Sequence, residues 1–277
     1  MITACFDANS IFARSWYAAE RSGGEPLDAV SLMVRSLLIL LNPDIDKLGV
    51  YVDRTLFGWD PKNISSNKGR ETKPKVYHDT KEAVKDVLAF LFGTVNFEHD
   101  QYEADSVVAT AAVRAAKTDE VYVVSGDKDL QQLQRGNIHY YCLNTKTILS
   151  PDYIRRKWGV PRASQVALVQ AITGDPVDNI KGVHGWGPKK CRELFRKVNP
   201  DMTFEEAKAA LLSQMPPECQ EQFLACLELT RLKTNVPDVP DPGRLQLASV
   251  AEAKSLGIPN IGLLYSRVYE EYQTRRR

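Results

Sequence analysis

Residues 121–133 read VYVVSGDKDLQQL. The first four, Val121 to Val124, are β-branched or aromatic and are cut off by the turn pair Ser125-Gly126, the pattern of a short buried strand. Asp127 and Asp129 come next, so both carboxylates fall just past the carboxyl end of that strand. In open α/β sheets, ligands bind in that crevice. Two such acids repel each other unless a cation or a basic partner lies between them. Lys128 separates them in sequence, but its side chain is expected to point away from both. Asp and Gly are also ordinary turn residues, so the stretch taken alone reads equally well as a solvated turn. Its surroundings decide between the two.

Working outward, the same ending recurs. Ile2 to Phe6 is apolar and runs into Asp7; Leu48 to Val52 runs into Asp53. Helical patterns at Ser10 to Ala19 and Leu27 to Leu41 fill the space between, giving the strand–helix–strand rhythm of a parallel sheet. Thr55 to Asp79 breaks the rhythm with a polar, basic stretch that shows no clear element, a feature of functional or mobile segments. Helix is expected again at Lys81 to Phe92, a brief strand at Val95 to Phe97, and a helix at Val107 to Ala116 with Glu103 and Asp105 at its amino end. Helix-dipole stabilisation would be reason enough for acids there. A further strand is expected at Ile138 to Cys142.

Beyond Ser150 the pattern turns helical, at 151–158, 163–172, 189–198, 204–212 and 218–229. Between the second and third of these lies GDPVDNIKGVHGWGPKK, residues 174–190. It carries Asp175 and Asp178 and then a glycine-rich run. Gly182, Gly185 and Gly187 would let a backbone come close to a phosphate, Pro188 suits a first helical turn, and Lys189 and Lys190 add charge. The spacing is not that of a Walker loop. A glycine hairpin between helices grips a nucleic acid backbone without reading bases; a plain helix–helix turn is the competing reading. Val236 to Leu245 reads as a Pro/Asp-rich linker, and 250–256 and 262–272 as a closing helical pair.

Composition narrows the class. The chain has 277 residues, 43% hydrophobic and 26% charged, ordinary for one large or two smaller globular domains. No apolar run reaches the ~18–20 residues of a membrane span, and no signal peptide is recognisable. Five scattered cysteines and four dispersed histidines argue for a reduced, cytoplasmic protein without a zinc centre. Net charge is only +1, yet residues 54–85 hold eight basic and four acidic side chains, 98–129 eight acidic and three basic, and 181–197 six basic and one acidic. An acidic centre between basic flanks suits a polyanion held around a cation. The carboxylate-rich, histidine-free set suits Mg²⁺ or Mn²⁺, and two such ions ~3.5–4 Å apart assist in-line displacement at phosphorus.

Four stretches, CFDANS, YEADSVVAT, VVSGDKDLQQL and ITGDPVDNIKGVHGWGPKKCREL, together resemble the 5′–3′ exonuclease and flap endonuclease family. That family includes the 5′-nuclease domain of bacterial DNA polymerase I and stand-alone bacteriophage enzymes. The resemblance covers residues 1 to about 235, where LKTNVP at 232–237 matches the link into the last segment. It implies a PIN-like α/β core of mostly parallel sheet flanked by helices over 1–150, with a basic arch at about 55–80. A helix-three-turn-helix (helix-hairpin-helix) module binding duplex DNA follows at 151–235, and 236–277 packs back on the core.

By motif, the resemblance assigns Asp7, Asp53, Glu103 and Asp105 to a first Mg²⁺ and Asp127, Asp129 and Asp178 to a second, with Asp175 in an outer shell. It also places K⁺ at the hairpin and gives Lys68 and Arg70 a catalytic role in the arch. Ser106 stands where many bacterial and phage members have a second Asp. The arch motif is altered, with Gly58 after Phe57 in place of an arginine, for which Arg54 is the candidate substitute. The implied activity is Mg²⁺-dependent 5′–3′ exonuclease and 5′-flap cleavage of branched or 5′-ended duplex DNA, or an RNA–DNA hybrid, by a monomer in the (host) cytoplasm, removing RNA primers and flaps in replication. Two rivals stay open: a structure-specific DNA-binding paralogue with little activity, and a PIN-type ribonuclease.

Overall fold

The computed structural model describes residues 1–41, 44–51, 73–93, 95–97, 99 and 102–275. Its centre is a sheet of strands β1 (Ile2–Asp7), β2 (Lys47–Tyr51), β3 (Val95–Phe97), β4 (Glu120–Ser125), β5 (Ile138–Cys142), β6 (Thr147–Ile148) and β7 (Gly243–Arg244). The order is β3-β2-β1-β4-β5-β6, with β7 pairing beside β2. β3, β2, β1, β4 and β5 are mutually parallel; β6 and β7 join antiparallel. The chain winds outward from β1 to β3 and then returns to the other side of β1 with β4. The switch point therefore lies between the carboxyl ends of β1 and β4, where a doubly wound sheet opens a crevice.

Helices α1 (Ala8–Arg21), α2 (Pro26–Leu40) and α3 (Lys75–Phe92) cover one face, together with α10 (Val250–Ser255) and α11 (Gly262–Arg275). α4 (Ala104–Ala115), α5 (Pro151–Trp158), α6 (Val166–Thr173), α7 (Pro188–Phe195), α8 (Phe204–Leu212) and α9 (Pro217–Thr230) belong to the other. Strand alternation divides the cores: Ala4 and Phe6 of β1 point into the first, Cys5 into the second. The second core runs without a break from α4, β4 and β5 through α6 and α9 to Val236 and Val239. Residues 151–235 thus share apolar packing with the sheet. Local chemistry sets the helix ends. Pro26 and Pro151 occupy first turns, Ser150 and Thr203 cap α5 and α8 with their hydroxyls, and Gly93 and Gly159 end α3 and α5 in the left-handed region.

Two expectations need correction. Helix α3 starts at Lys75, so the irregular basic stretch expected through Asp79 ends earlier; Tyr77 in its first turn already packs on the first core beside Phe12 and Trp16. The segment 236–245 is not a loose linker. Val236, Val239 and Leu245 are buried, Arg114 donates to the Val239 carbonyl, and β7 pairs with β2. Its prolines shape a packed strap, because backbone without a helix can still fill a groove. Asp53, Arg54, Lys68, Arg70 and most of the expected arch lie outside the described residues.

Candidate metal centre

Asp7 ends β1 and caps α1, with Oδ1 accepting the Ser10 N–H at 3.1 Å. The positive end of α1 favours the anion there. Ser125, the last residue of β4, ties this acid to the next: its hydroxyl donates to Asp7 Oδ2 at 2.5 Å and accepts the Asp127 N–H at 2.8 Å. Tyr140 on β5 clamps the same turn from below, its hydroxyl lying 2.9 Å from the Ser125 carbonyl and 2.7 Å from that of Asp127. Gly126 is required by its neighbour, since a Cβ there would stand 2.7 Å from Ser10 Oγ, the atom that accepts the Gly126 N–H. The turn after β4 is accordingly held on three sides and aims its acids into the switch-point crevice.

Asp127 Oδ1 accepts the Asp129 N–H at 2.9 Å, which bends the chain into a 3₁₀ turn over Asp129–Leu133. The glutamines of that turn fasten other elements to it. Gln131 accepts from the Trp158 indole of α5, and Gln132 donates to the Thr230 carbonyl at the end of α9. The later loop then delivers Asp175 and Asp178. It is pinned by a bridge between Asp175 and Ile180 and by the close apposition of Gly174 and Gly182. Carboxylate oxygens of Asp129, Asp175 and Asp178 all lie within 4.8 Å of one another, and all three residues are buried.

The electrostatics of this trio are unbalanced. Burial, then the charge of Asp127, pushes the Asp129 carboxyl up to about 7, with Asp178 and Asp175 adding to the rise and a hydrogen bond from Gln170 opposing it. Asp175 is compensated within the chain. Lys128 Nζ lies 2.7 Å from its Oδ1 and 2.6 Å from its Oδ2, Gln170 Nε2 lies 3.2 Å from Oδ2, and the Val177 N–H 3.1 Å from Oδ1. Lys128, expected to turn from Asp127 and Asp129, thus spends its charge on Asp175. An acid so fully met by donors suits an anchoring role better than a ligand's.

Glu103 takes the cap position of α4 and Asp105 its first turn; α4 packs on β1, β2 and β4. Among the described residues these two are not part of the Asp129 trio. Ser106 does structural work, its Oγ accepting the Lys233 N–H at 3.3 Å. Not every acid of the 98–129 block faces the crevice. Asp119 precedes β4 at the opposite sheet edge, where it accepts from Thr3 and pairs with Lys47 at 2.9 Å, while Glu120 pairs with His139.

The three glycines of the hairpin are not equivalent. Gly182 adopts φ +70°, and a Cβ would come within 2.4 Å of the Gly174 nitrogen, so its glycine requirement is internal. Gly185 (φ +74°) and Gly187 face open space, followed by Pro188 in the first turn of α7 and exposed Lys189 and Lys190. Lys190 Nζ sits 5.5 Å from the Trp186 ring centre. Sequence reasoning missed Gln170. A lone amide in the run VALVQAIT, 166–173, was the available signal.

Residues 3–159 match the family model described as 5′–3′ exonuclease, N-terminal resolvase-like domain. DNA polymerase I of Rhizobium leguminosarum is 31% identical over 83% of this chain, and the thermostable DNA polymerase I of Thermus aquaticus 30% identical over 94%. The chain spans only 24% and 33% of those two proteins. Among solved structures, T5 5′-exonuclease is similar with a TM-score of 0.66 at 16% identity, covering 98% of this chain and 100% of that one. The bacteriophage T5 D15 flap endonuclease in a complex with DNA and metal ions also scores 0.66, at 15% identity, covering 99% and 100%. The acids gathered at the switch point and the matched model lead to one conclusion: this chain belongs to the 5′–3′ exonuclease family.

Proposed function

We propose that the chain is a divalent-cation-dependent 5′ nuclease that hydrolyses phosphodiesters in 5′-ended or branched duplex DNA. The observation that carries this reading is the convergence of Asp129, Asp175 and Asp178 beside the Asp7–Ser125–Asp127 link, with Asp129 pushed up to about 7 by burial first and by the charge of Asp127 next. A purely binding protein gains nothing from acids massed where a polyanion must approach. The donor set fits a hard cation: it is all oxygen and histidine-free, and Gln170 Oε1 is buried there without a hydrogen-bond partner.

Asp127, Asp129 and Asp178 would hold one Mg²⁺, for which Mn²⁺ could substitute, and Asp7, Glu103, Asp105 and Asp53 the other. Such ions supply Lewis acidity at the scissile phosphate, easing both attack and departure. The chain's own residues do the rest. Ser125 and Tyr140 fix the β4 turn, and Lys128 pairs with Asp175 and anchors it. Lys68 and Arg70, with Arg54, would neutralise charge on the phosphate. Gly185, Gly187 and the α7 amino terminus, with Lys189 and Lys190, would grip the duplex backbone, with K⁺ as an added bridge at the Gly182 hairpin. The T5 relative described with DNA and metal ions supports this reading. Removal of primers and flaps, RNA–DNA hybrids included, in the cytoplasm is the role proposed for a monomeric enzyme of this kind.

The test is a duplex carrying a labelled 5′ flap, incubated with Mg²⁺ and separately with EDTA, beside a single-stranded RNA. Cleavage near the junction, lost in EDTA and leaving a 5′-phosphate, is expected. Binding without cleavage would make the chain a DNA-binding paralogue, and preference for the RNA would make it a ribonuclease.

A further inference from the structure

Gln170 lies on α6, in a helix otherwise built of apolar residues and threonine, and is 1% exposed. Its Nε2 donates to Asp129 Oδ1 at 2.5 Å and stands 3.2 Å from Asp175 Oδ2. Both partners offer carboxylate oxygens, and the amide nitrogen faces them. Its Oε1 is left buried without a hydrogen-bond partner. An unmet buried acceptor is costly, and an apolar side chain of the same length would avoid the cost. The donor end of the amide serves the two carboxylates, and its acceptor end has no partner among the described residues.

The two carboxylates it touches are used differently. Asp175 has both oxygens occupied, by Lys128, by the Val177 N–H and by Gln170. Asp129 has Oδ1 engaged by Gln170, and its own N–H is spent on Asp127. The amide therefore holds the Asp129 carboxylate through Oδ1, while Oδ2 lies outside that contact. We propose that Gln170 is a positioning residue of the cation site. It locks Asp129 against Asp175 and so sets the orientation in which the Asp129 carboxylate would meet the ion. The inference rests on the divalent-cation reading above. Outer partners that orient ligating carboxylates commonly set metal affinity through geometry.

Gln170→Met tests it, because it keeps volume and removes both hydrogen-bonding ends. Mn²⁺ binding measured by calorimetry on wild-type and variant protein should show a ~10–100-fold loss of affinity. The Mn²⁺ concentration for half-maximal flap cleavage should rise by the same factor, with the rate at saturating metal changing far less. A role confined to packing would lower stability in EDTA and leave Mn²⁺ affinity unmoved, which overturns the proposal. A wild-type chain that binds no Mn²⁺ removes the cation reading itself and this inference with it; equal binding by both proteins removes only the inference. Should the variant not fold, ¹⁵N-labelled wild type decides. Broadening of the Gln170 side-chain amide by substoichiometric Mn²⁺ is expected, and an unaltered amide in a chain that binds Mn²⁺ overturns the assignment.

Discussion

Replacing Asp129 by Asn should stabilise the metal-free protein while destroying its chemistry. The carboxyl ordinarily titrates at 3.8, and in the fold it is pushed up to about 7, by burial first and by Asp127 next. Folding therefore disfavours the ionised form. The penalty is absent below the unfolded value, grows as pH rises between the two, and is complete above the folded one. A gap of roughly three pH units at about 1.4 kcal/mol each puts the full penalty on the order of 4 kcal/mol. Local rearrangement in the variant reduces what is regained, so a gain of about 2–4 kcal/mol is expected at pH 8 and close to none at pH 4. Asparagine keeps an Oδ1 to accept from Gln170, so the clamp survives. Urea unfolding in EDTA at the two pH values reads the difference directly. Mg²⁺ should then stabilise the wild type by mass action and the variant far less. A variant no more stable than wild type at pH 8, or one whose advantage is equal at both pH values, would refute the reasoning.

Other perturbations separate the roles assigned above. Gly182→Ala should cost at least about 3 kcal/mol in urea unfolding, because a Cβ would meet the Gly174 nitrogen at 2.4 Å and the Ile172 carbonyl oxygen at 2.6 Å. Gly185→Ala, in open space at φ +74°, should cost only about 1 kcal/mol. Lys128→Met leaves the buried Asp175 carboxylate without its cation and should destabilise the protein by about 3 kcal/mol at neutral pH, again read by urea unfolding. Lys189→Ala should weaken duplex binding and lower the slope of log K against log salt by about 1, measured by fluorescence anisotropy; an unchanged slope would remove the hairpin from the DNA contacts.

Much of this was legible in the sequence because strand ends announce themselves. Val121 to Val124 and Ile2 to Phe6 are too short and too β-branched to be helices, and an acid follows each, so Asp7 and Asp127 could be placed on one sheet edge before any coordinates. The helices at 151–158 and 204–212 were equally plain, bounded by Ser150-Pro151 and by the Thr203–Glu206 box. The failures have a common cause. Amide and lysine partners act through tertiary geometry that no local period encodes. Gln170 approaches Asp129 from 41 residues away in sequence, and Lys128 reaches Asp175 across 47. The first turn of α3 joins the core through Tyr77, whose partners Phe12 and Trp16 are distant in sequence, and the strap at 236–245 is packed by residues that, read in order, look like a linker. The glycines misled differently: Gly182 serves the loop's own packing, whereas Gly185 and Gly187 are the ones left open.

The most direct test of the central claim is to locate Mn²⁺ by anomalous scattering in crystals of the protein soaked with that ion. One peak bounded by Asp127, Asp129 and Asp178, with a second toward Asp7 and Asp105, is the predicted result. A crevice that shows no peak at saturating Mn²⁺, with ions only at surface acids, would contradict a divalent-cation centre at the β1–β4 switch point.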